Sequence, residues 1–180
     1  MTPCFVAVYV IPLWQPAWFA AGSQWTVAVL WFLFIASEIT DLIDGKVARA
    51  RNEVSDFGKL FDPFADTLVW LAYFFCFVQN SLLPALLFLI IVYREFIILF
   101  IRNLMLKKGI AMGARKGGKI KAVGYMATGI VALLAESVTR LGLNNTFFTW
   151  LQIGATILFA VSVCISLISL VDYIRIYRKS

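Results

Sequence analysis

The chain has 180 residues, of which 62% are hydrophobic and only 14% are charged, and its formal net charge at pH 7 is +6. A water-soluble domain of this size needs more polar residues to cover its surface, so these values exclude a soluble globular protein. The chain contains no histidine, which excludes Ser-His and Cys-His catalysis and leaves any acid–base or metal chemistry to Asp and Glu.

Along the chain, the apolar residues form six segments, most of them close to the length that crosses a bilayer. The second segment is predicted to continue as a helix through a charged stretch to Arg51. The length allows one domain, residues 1–180. We therefore predict an all-α polytopic membrane protein with six transmembrane helices. The segments run from Cys4 to Ala21, Trp25 to Thr40, Pro63 to Val78, Leu83 to Leu106, Ala122 to Leu134 and Phe147 to Val171.

The lysines and arginines segregate to alternate connections between these segments, which predicts the orientation of the protein. With a cytoplasmic N-terminus, the connections after the second and fourth segments and the C-terminal tail are all cytoplasmic. The outer connections carry only the neighbouring Arg140. We therefore predict a multi-pass protein of the cell (inner) membrane with both termini in the cytoplasm, and no nucleic-acid partner. The cytoplasmic set comprises Lys46, Arg49, Arg51, Lys59, Lys107, Lys108, Arg115, Lys116, Lys119, Lys121, Arg175, Arg178 and Lys179.

Four aspartates lie where the second segment ends and the third begins. Asp41 and Asp44 are spaced i, i+3, and Asp62 and Asp66 are spaced i, i+4, so each pair shares one helix face. The connection between the pairs is short, which predicts antiparallel neighbouring helices with facing carboxylates. Asp62 followed by Pro63 predicts a helix N-cap at this point. Four facing carboxylates repel each other unless cations neutralise them, and oxygen ligands suit Mg²⁺, Mn²⁺ or Ca²⁺ bound to a phosphate chain.

Small residues beside the aspartates predict a surface for a nucleotide. Gly45 and Ala48 leave one helix face bare, so that a ligand can approach the backbone. Arg49 lies one turn after Gly45, where its guanidinium can pair with phosphate oxygens. Gly58 lies one turn before Asp62.

These eight positions resemble the complete signature of the CDP-alcohol phosphotransferase family. The resemblance implies a six-helix membrane enzyme, usually homodimeric, with two divalent cations, Mg²⁺ or Mn²⁺. It implies that Asp41, Asp44 and Asp62 are metal ligands and that Asp66 is both a ligand and the general base toward an acceptor hydroxyl. It also implies a CDP-activated lipid as the donor. The matching run is Asp41-x-x-Asp44-Gly45-x-x-Ala48-Arg49, then Gly58-x-x-x-Asp62-x-x-x-Asp66.

A second group of charged residues bears on the acceptor. The pair Arg94-Glu95, then Arg102, then Gly118-Lys119-x-Lys121 resembles the pattern of the bacterial phosphatidylglycerophosphate synthases in this family. That resemblance implies CDP-diacylglycerol as donor and sn-glycerol 3-phosphate as acceptor. Charged residues within an apolar segment must face the protein interior. We predict an anion pocket for the acceptor's own phosphate, formed by Arg102, Arg115, Lys119 and Lys121.

Three other interpretations remain open at this point. Another member of the superfamily would use inositol phosphate, serine, choline or ethanolamine, of which all but the first lack a phosphate. A small cation-binding membrane transporter would use the acidic cluster as an ion site, although the aspartates lie at one membrane face rather than at the midplane. An inactive scaffold would have no need of the intact signature.

The charge segregation makes a topological prediction. Single-cysteine variants Gly118→Cys and Asn144→Cys, in a background without Cys4, Cys76 and Cys164, place one thiol on each side of the membrane. An impermeant thiol reagent applied to intact cells is expected to label position 144 only. Labelling at position 118 would reverse the orientation.

Overall fold

The fold consists of helices in every part of the chain that the structure describes. The computed structural model describes residues 1–14, 23–50, 56–110, 116–143 and 145–179, and their side chains except at 13, 14, 23, 42, 44–50, 56–60, 116, 117, 119 and 179. Within these ranges the predicted all-α fold class is confirmed. The helices are α1 (Thr2–Trp14), α2 (Ser23–Ala50), α3 (Asp56–Gln79), α4 (Ala85–Lys107), α5 (Lys116–Arg140) and α6 (Asn145–Lys179).

The helices extend beyond the apolar segments into polar sequence. The start predicted for the third helix is wrong, because α3 begins at Asp56 and Pro63 lies inside it. Proline lacks an amide hydrogen and removes one backbone hydrogen bond, but the helix keeps its other bonds on both sides. Asp62 is therefore not an N-cap. Its carboxylate remains available to a ligand.

Three of the described helices are long and apolar enough to cross a membrane by length and composition: Phe61–Gln79, Ile120–Arg140 and Asn145–Arg178. A shorter apolar helix covers Thr2–Pro12. The helix α4 has a comparable length but carries Arg94, Glu95 and Arg102 in its interior. The buried position of Arg94 and Glu95 agrees with the rule that intramembrane charges face the bundle interior.

A group of buried aromatic side chains joins the helices at the centre of the bundle. Phe34 of α2 packs against Tyr73 of α3 with ring centroids 5.2 Å apart. Phe74 of α3 contacts Tyr125 of α5 at 5.0 Å and Phe159 of α6 at 4.8 Å. All five rings are at most 2% exposed. Large planar rings in edge or tilted contact fill this volume at protein-like density and fix how the helices face one another.

Glycines on α5 allow the closest approaches. A Cβ atom at Gly124 would overlap Oγ of Ser162 on α6. A Cβ atom at Gly129 would lie 3.1 Å from the Phe34 ring and 3.3 Å from the Trp70 ring. Small residues at helix interfaces are the usual means of close packing in membranes, because lipid supplies no hydrophobic driving force between helices.

A buried ion pair closes the end of the bundle that lies opposite Asp66 along α3. Glu136 accepts hydrogen bonds from Arg140 Nε at 2.6 Å, Tyr9 OH at 2.8 Å and Asn80 Nδ2 at 2.7 Å. Arg140 also donates from Nη2 to the carbonyl oxygen of Tyr9 at 2.9 Å. Since Tyr9 lies on α1 and Asn80 follows α3, this cluster ties three elements together.

Removing one charge of this cluster is expected to destabilise the fold. Glu136→Gln keeps the side-chain shape but leaves Arg140 without a carboxylate. The free energy of unfolding is then expected to fall by about 3 kcal/mol. In detergent this corresponds to a decrease in apparent Tm of roughly 6–12 °C.

The matched control is Asp172→Asn, which neutralises an exposed carboxylate on α6. An equal Tm for Glu136→Gln and the wild-type protein would show that the cluster contributes nothing to stability.

Candidate active site

The acidic part of the site lies between α2 and α3. Glu38 and Asp41 of α2 and Asp66 of α3 line a cleft of about 250 Å³. The carboxyl groups of Asp41 and Asp66 are close enough to share a hydrogen bond. Two ionised carboxylates repel each other at this separation, and a shared proton or a cation between them would relieve that repulsion. Asp62 is exposed one turn before Asp66 on the same helix.

The donor atoms suit a divalent cation in their chemistry. Among the described side chains, no three Asp, Glu or Cys groups form a cluster that could hold a metal ion. Asp41 and Asp66 supply two carboxylates in contact, and a cation between them needs further oxygen ligands. The side chain of Asp44 lies outside the described residues. Substrate phosphate and water are the other available sources of oxygen.

A separate cavity of about 280 Å³ opens beside Asp66. Helices α3, α4, α5 and α6 all contribute to its wall, so residues far apart in the sequence share one space. Its polar lining residues are Asp66, Thr67, Arg94, Glu95, Arg102, Lys121, Tyr125, Ser169 and Tyr173. The cavity therefore combines one aspartate of the signature with the cations that the sequence assigns to an acceptor.

Glu95 organises one wall of this cavity. Its Oε1 atom accepts hydrogen bonds from Arg94 Nη1 at 2.9 Å, Lys121 Nζ at 2.7 Å and Tyr125 OH at 2.9 Å. Arg94 also donates from Nε to the carbonyl oxygen of Ser166 at 3.0 Å. Glu95 is 4% exposed and Arg94 is 3% exposed, so the two groups form a desolvated ion pair. One carboxylate thus balances one of two cations, Arg94 and Lys121.

Arg102 is held differently. Its Nη2 donates to the hydroxyl of Tyr173 at 2.9 Å, and its guanidinium carbon lies 5.4 Å from the centre of the Tyr173 ring. Its Nε atom is buried and has no hydrogen-bond partner. None of the ion pairs among the described residues includes Arg102. Within the described part of the chain, Arg102 therefore has no carboxylate bound to it, and its Nε atom has no hydrogen-bond partner.

The structure describes only some of the predicted site residues. Asp66, Arg102 and Lys121 share one cavity, and Asp41 contacts Asp66 from the other side. Lys121 is bound to Glu95, a pairing that the sequence did not indicate. The predicted roles of the remaining residues concern side chains outside the described part of the chain. These are Asp44, Gly45, Ala48, Arg49, Gly58, Arg115 and Lys119.

Two site residues were missed at the sequence level. Glu38 lies three residues before Asp41, and this spacing on a helix was a usable signal. Tyr173 lies 71 residues from Arg102, and no pattern in the sequence links them. Tyrosines are also common at the ends of membrane helices, so a tyrosine at this position did not indicate a binding site.

Comparison with known proteins supports one family. The family model for CDP-alcohol phosphatidyltransferases matches residues 1–169. A protein of Treponema pallidum named CDP-diacylglycerol–glycerol-3-phosphate 3-phosphatidyltransferase is 34% identical over 178 residues, which cover 96% of this chain and 82% of the relative. A Bacillus subtilis protein of the same name is 40% identical over 89 residues, covering 49% of this chain and 46% of the relative.

A more distant relative extends the similarity over most of the chain. A Mycobacterium tuberculosis protein named probable phosphatidylglycerophosphate synthase is 28% identical over 167 residues, covering 91% of this chain and 74% of the relative. The match to the family model covers far more than the aspartate signature and includes all of α3, α4 and α5 and the part of α6 up to residue 169. The chain belongs to the CDP-alcohol phosphatidyltransferase family.

Proposed function

We propose that the protein transfers the phosphatidyl group of CDP-diacylglycerol to sn-glycerol 3-phosphate and releases CMP. The observation that carries this proposal is the single cavity that joins Asp66 to Arg102 and Lys121. The names of the similar proteins, which specify glycerol 3-phosphate, support the same acceptor. Such an acceptor has a hydroxyl group at one end and a phosphate at the other, and the cavity offers a carboxylate and cations to match.

The charge of the cavity wall fits a phosphomonoester. Arg94, Arg102 and Lys121 contribute three positive charges to the cavity lining, and Glu95 and an ionised Asp66 contribute two negative charges, so the lining carries a formal charge of +1. A phosphomonoester at neutral pH carries about −1.5 to −2. Serine, choline and ethanolamine lack a phosphate and would supply no anion to the positively charged lining of the cavity. Inositol phosphate remains the alternative acceptor that the wall charge permits.

In this proposal Asp66 accepts the proton of the acceptor hydroxyl. The hydroxyl oxygen then forms a bond to the phosphorus that is esterified to diacylglycerol. The bond from this phosphorus to the oxygen of CMP breaks, and CMP leaves with that electron pair. Positioning of the two substrates and compensation of the phosphate charge lower the barrier to the transfer. No covalent enzyme intermediate is needed.

The aspartates are proposed to hold two divalent cations, Mg²⁺ or Mn²⁺. The proposed ligands are Asp41, Asp44, Asp62 and Asp66, and the contact between Asp41 and Asp66 supports a cation at this place. Bound cations would neutralise the pyrophosphate of the donor. Gly45, Ala48, Arg49 and Gly58 are proposed to receive the nucleotide, as the signature implies.

The proposed setting is the cell (inner) membrane, with six spans and both termini in the cytoplasm. Three long apolar helices and the segregation of basic residues support this arrangement. The acyl chains of the donor would leave the site sideways between helices into the lipid. A homodimer is proposed from the family resemblance. The cation-transporter alternative has lost its support, because the chain belongs to a transferase family.

The carboxylates give a prediction about metal. Asp41→Asn or Asp62→Asn is expected to abolish CMP release because the charge that binds the cations is reduced, while the protein stays folded in detergent. Asp172→Asn, an exposed carboxylate on α6, is the matched control and is expected to keep wild-type activity. A chelator is expected to inhibit reversibly, with activity restored by Mg²⁺ or Mn²⁺. Full activity in excess chelator would contradict the two-metal proposal.

Arg102 gives a prediction about the acceptor. A charge-assisted hydrogen bond contributes about 1.5–3 kcal/mol, so Arg102→Gln or Lys119→Gln is expected to raise the KM for glycerol 3-phosphate about tenfold to a hundredfold. The KM for CDP-diacylglycerol is expected to stay nearly constant. Arg102→Lys should rescue only in part, because an ammonium cannot replace the planar guanidinium.

The measurement is CMP release in detergent across candidate alcohols. Lys107→Gln, an exposed cation on the same helix as Arg102, is the matched control and is expected to leave both KM values unchanged. A wild-type enzyme that prefers free inositol, serine or choline to glycerol 3-phosphate would refute the proposed acceptor and leave the family assignment intact.

A further inference from the structure

The two kinds of cation in the cavity have different partners. Arg94 and Lys121 share the carboxylate of Glu95, whose single negative charge lies between them. Arg102 contacts the phenol of Tyr173, which is neutral. A carboxylate in place of this phenol would cancel the charge of the guanidinium and compete with an incoming phosphate. A neutral hydroxyl accepts one hydrogen bond and leaves the full charge available.

Tyr173 also restricts where the guanidinium can lie. Its hydroxyl oxygen binds Nη2 at 2.9 Å, and its ring lies near the guanidinium with the carbon 5.4 Å from the ring centre. Tyr173 is 1% exposed, so it is itself fixed by its surroundings. An arginine side chain otherwise loses much rotational freedom when it binds a ligand. A guanidinium that is already held in place avoids part of that loss at the binding step.

The donors of Arg102 differ in what they bind. Nε is buried and has no partner, whereas Nη2 is occupied by Tyr173. A guanidinium that keeps donors free of protein carboxylates can bind phosphate oxygens. Both Arg102 and Tyr173 line the cavity that contains Asp66.

We propose that Tyr173 is a positioning residue for acceptor recognition, which holds the guanidinium of Arg102 in place for the phosphate of the acceptor. Tyr173 acts through Arg102 and makes no contact with the acceptor. This inference rests on the proposed function, because it assumes that Arg102 binds the acceptor's phosphate.

The test is a double-mutant cycle between Tyr173→Phe and Arg102→Gln, read out as the KM for glycerol 3-phosphate. Tyr173→Phe keeps the ring and removes only the hydroxyl. Loss of one hydrogen bond that positions a charge is expected to raise this KM about threefold to tenfold. The value of kcat and the KM for CDP-diacylglycerol are expected to stay within about twofold. In the Arg102→Gln background, Tyr173→Phe is expected to have no further effect.

Tyr93→Phe is the matched control, because Tyr93 lies on α4 with its side chain 64% exposed on the outside of the bundle. It is expected to leave all constants unchanged. If Tyr173→Phe lowers the amount of folded protein, the concentration of glycerol 3-phosphate that raises Tm half-maximally replaces KM as the readout. This concentration is expected to increase by the same factor.

The outcomes separate the inference from the function on which it rests. An unchanged acceptor KM in Arg102→Gln would overturn the anion pocket and the role of Tyr173 together. A raised KM in Arg102→Gln with no effect of Tyr173→Phe would overturn the positioning role alone. Independent, multiplying effects of the two substitutions would show that Tyr173 binds the acceptor directly, which would also overturn it.

Discussion

Charged side chains inside an apolar bundle must be paired. In this protein the Oε1 atom of Glu95 makes the contacts that pair them. Its three hydrogen bonds join Arg94 of α4 to Lys121 and Tyr125 of α5. Through the carbonyl oxygen of Ser166, Arg94 extends the connection to α6. Three helices are thus fixed around one carboxylate, and the cavity is the space that these contacts leave open toward Asp66. Loss of this pairing would leave uncompensated charge in a medium that cannot solvate it.

The bundle contains two charged clusters, one that stabilises the fold and one that lines the cavity. At the end that lies opposite Asp66 along α3, Glu136 and Arg140 bind each other and their neighbours Tyr9 and Asn80. That cluster is fully occupied by protein groups. Beside Asp66, positive charge exceeds negative charge along the cavity wall and the Nε donor of Arg102 is unused. The excess of positive charge at this cavity fits an anionic ligand.

The sequence predicted the helices well and the contacts between distant residues poorly. The apolar segments marked all six helices because lipid requires long runs of apolar residues. The start of α3 was predicted wrongly because a proline at position 63 looks like the first residue of a helix, although α3 begins at Asp56. The facing of α2 and α3 followed from the spacing of the aspartates and the short connection between them. The roles of the aspartates themselves remain proposals.

The pairing of Lys121 with Glu95, and of Arg102 with Tyr173, joins residues on different helices. Such contacts depend on how the helices rotate about their own axes, which no local pattern records. The sequence therefore indicated which cations share the pocket region but not which of them is free. Only the contacts in the structure show that Lys121 is paired with a carboxylate, whereas Arg102 binds a neutral phenol.

The contact between Gly124 and Ser162 connects the packing of α5 against α6 to the width of the cavity. No atom larger than hydrogen fits on α5 at this point, because a Cβ would overlap the Ser162 hydroxyl. An alanine at position 124 would have to displace the Ser162 hydroxyl, and a longer side chain would press on α6, which carries Tyr173 about three turns further along. The size of the acceptor that this enzyme admits is thus linked to one interhelical spacing. Within this fold, selection for a bulkier acceptor could act at position 124 without altering any charged residue.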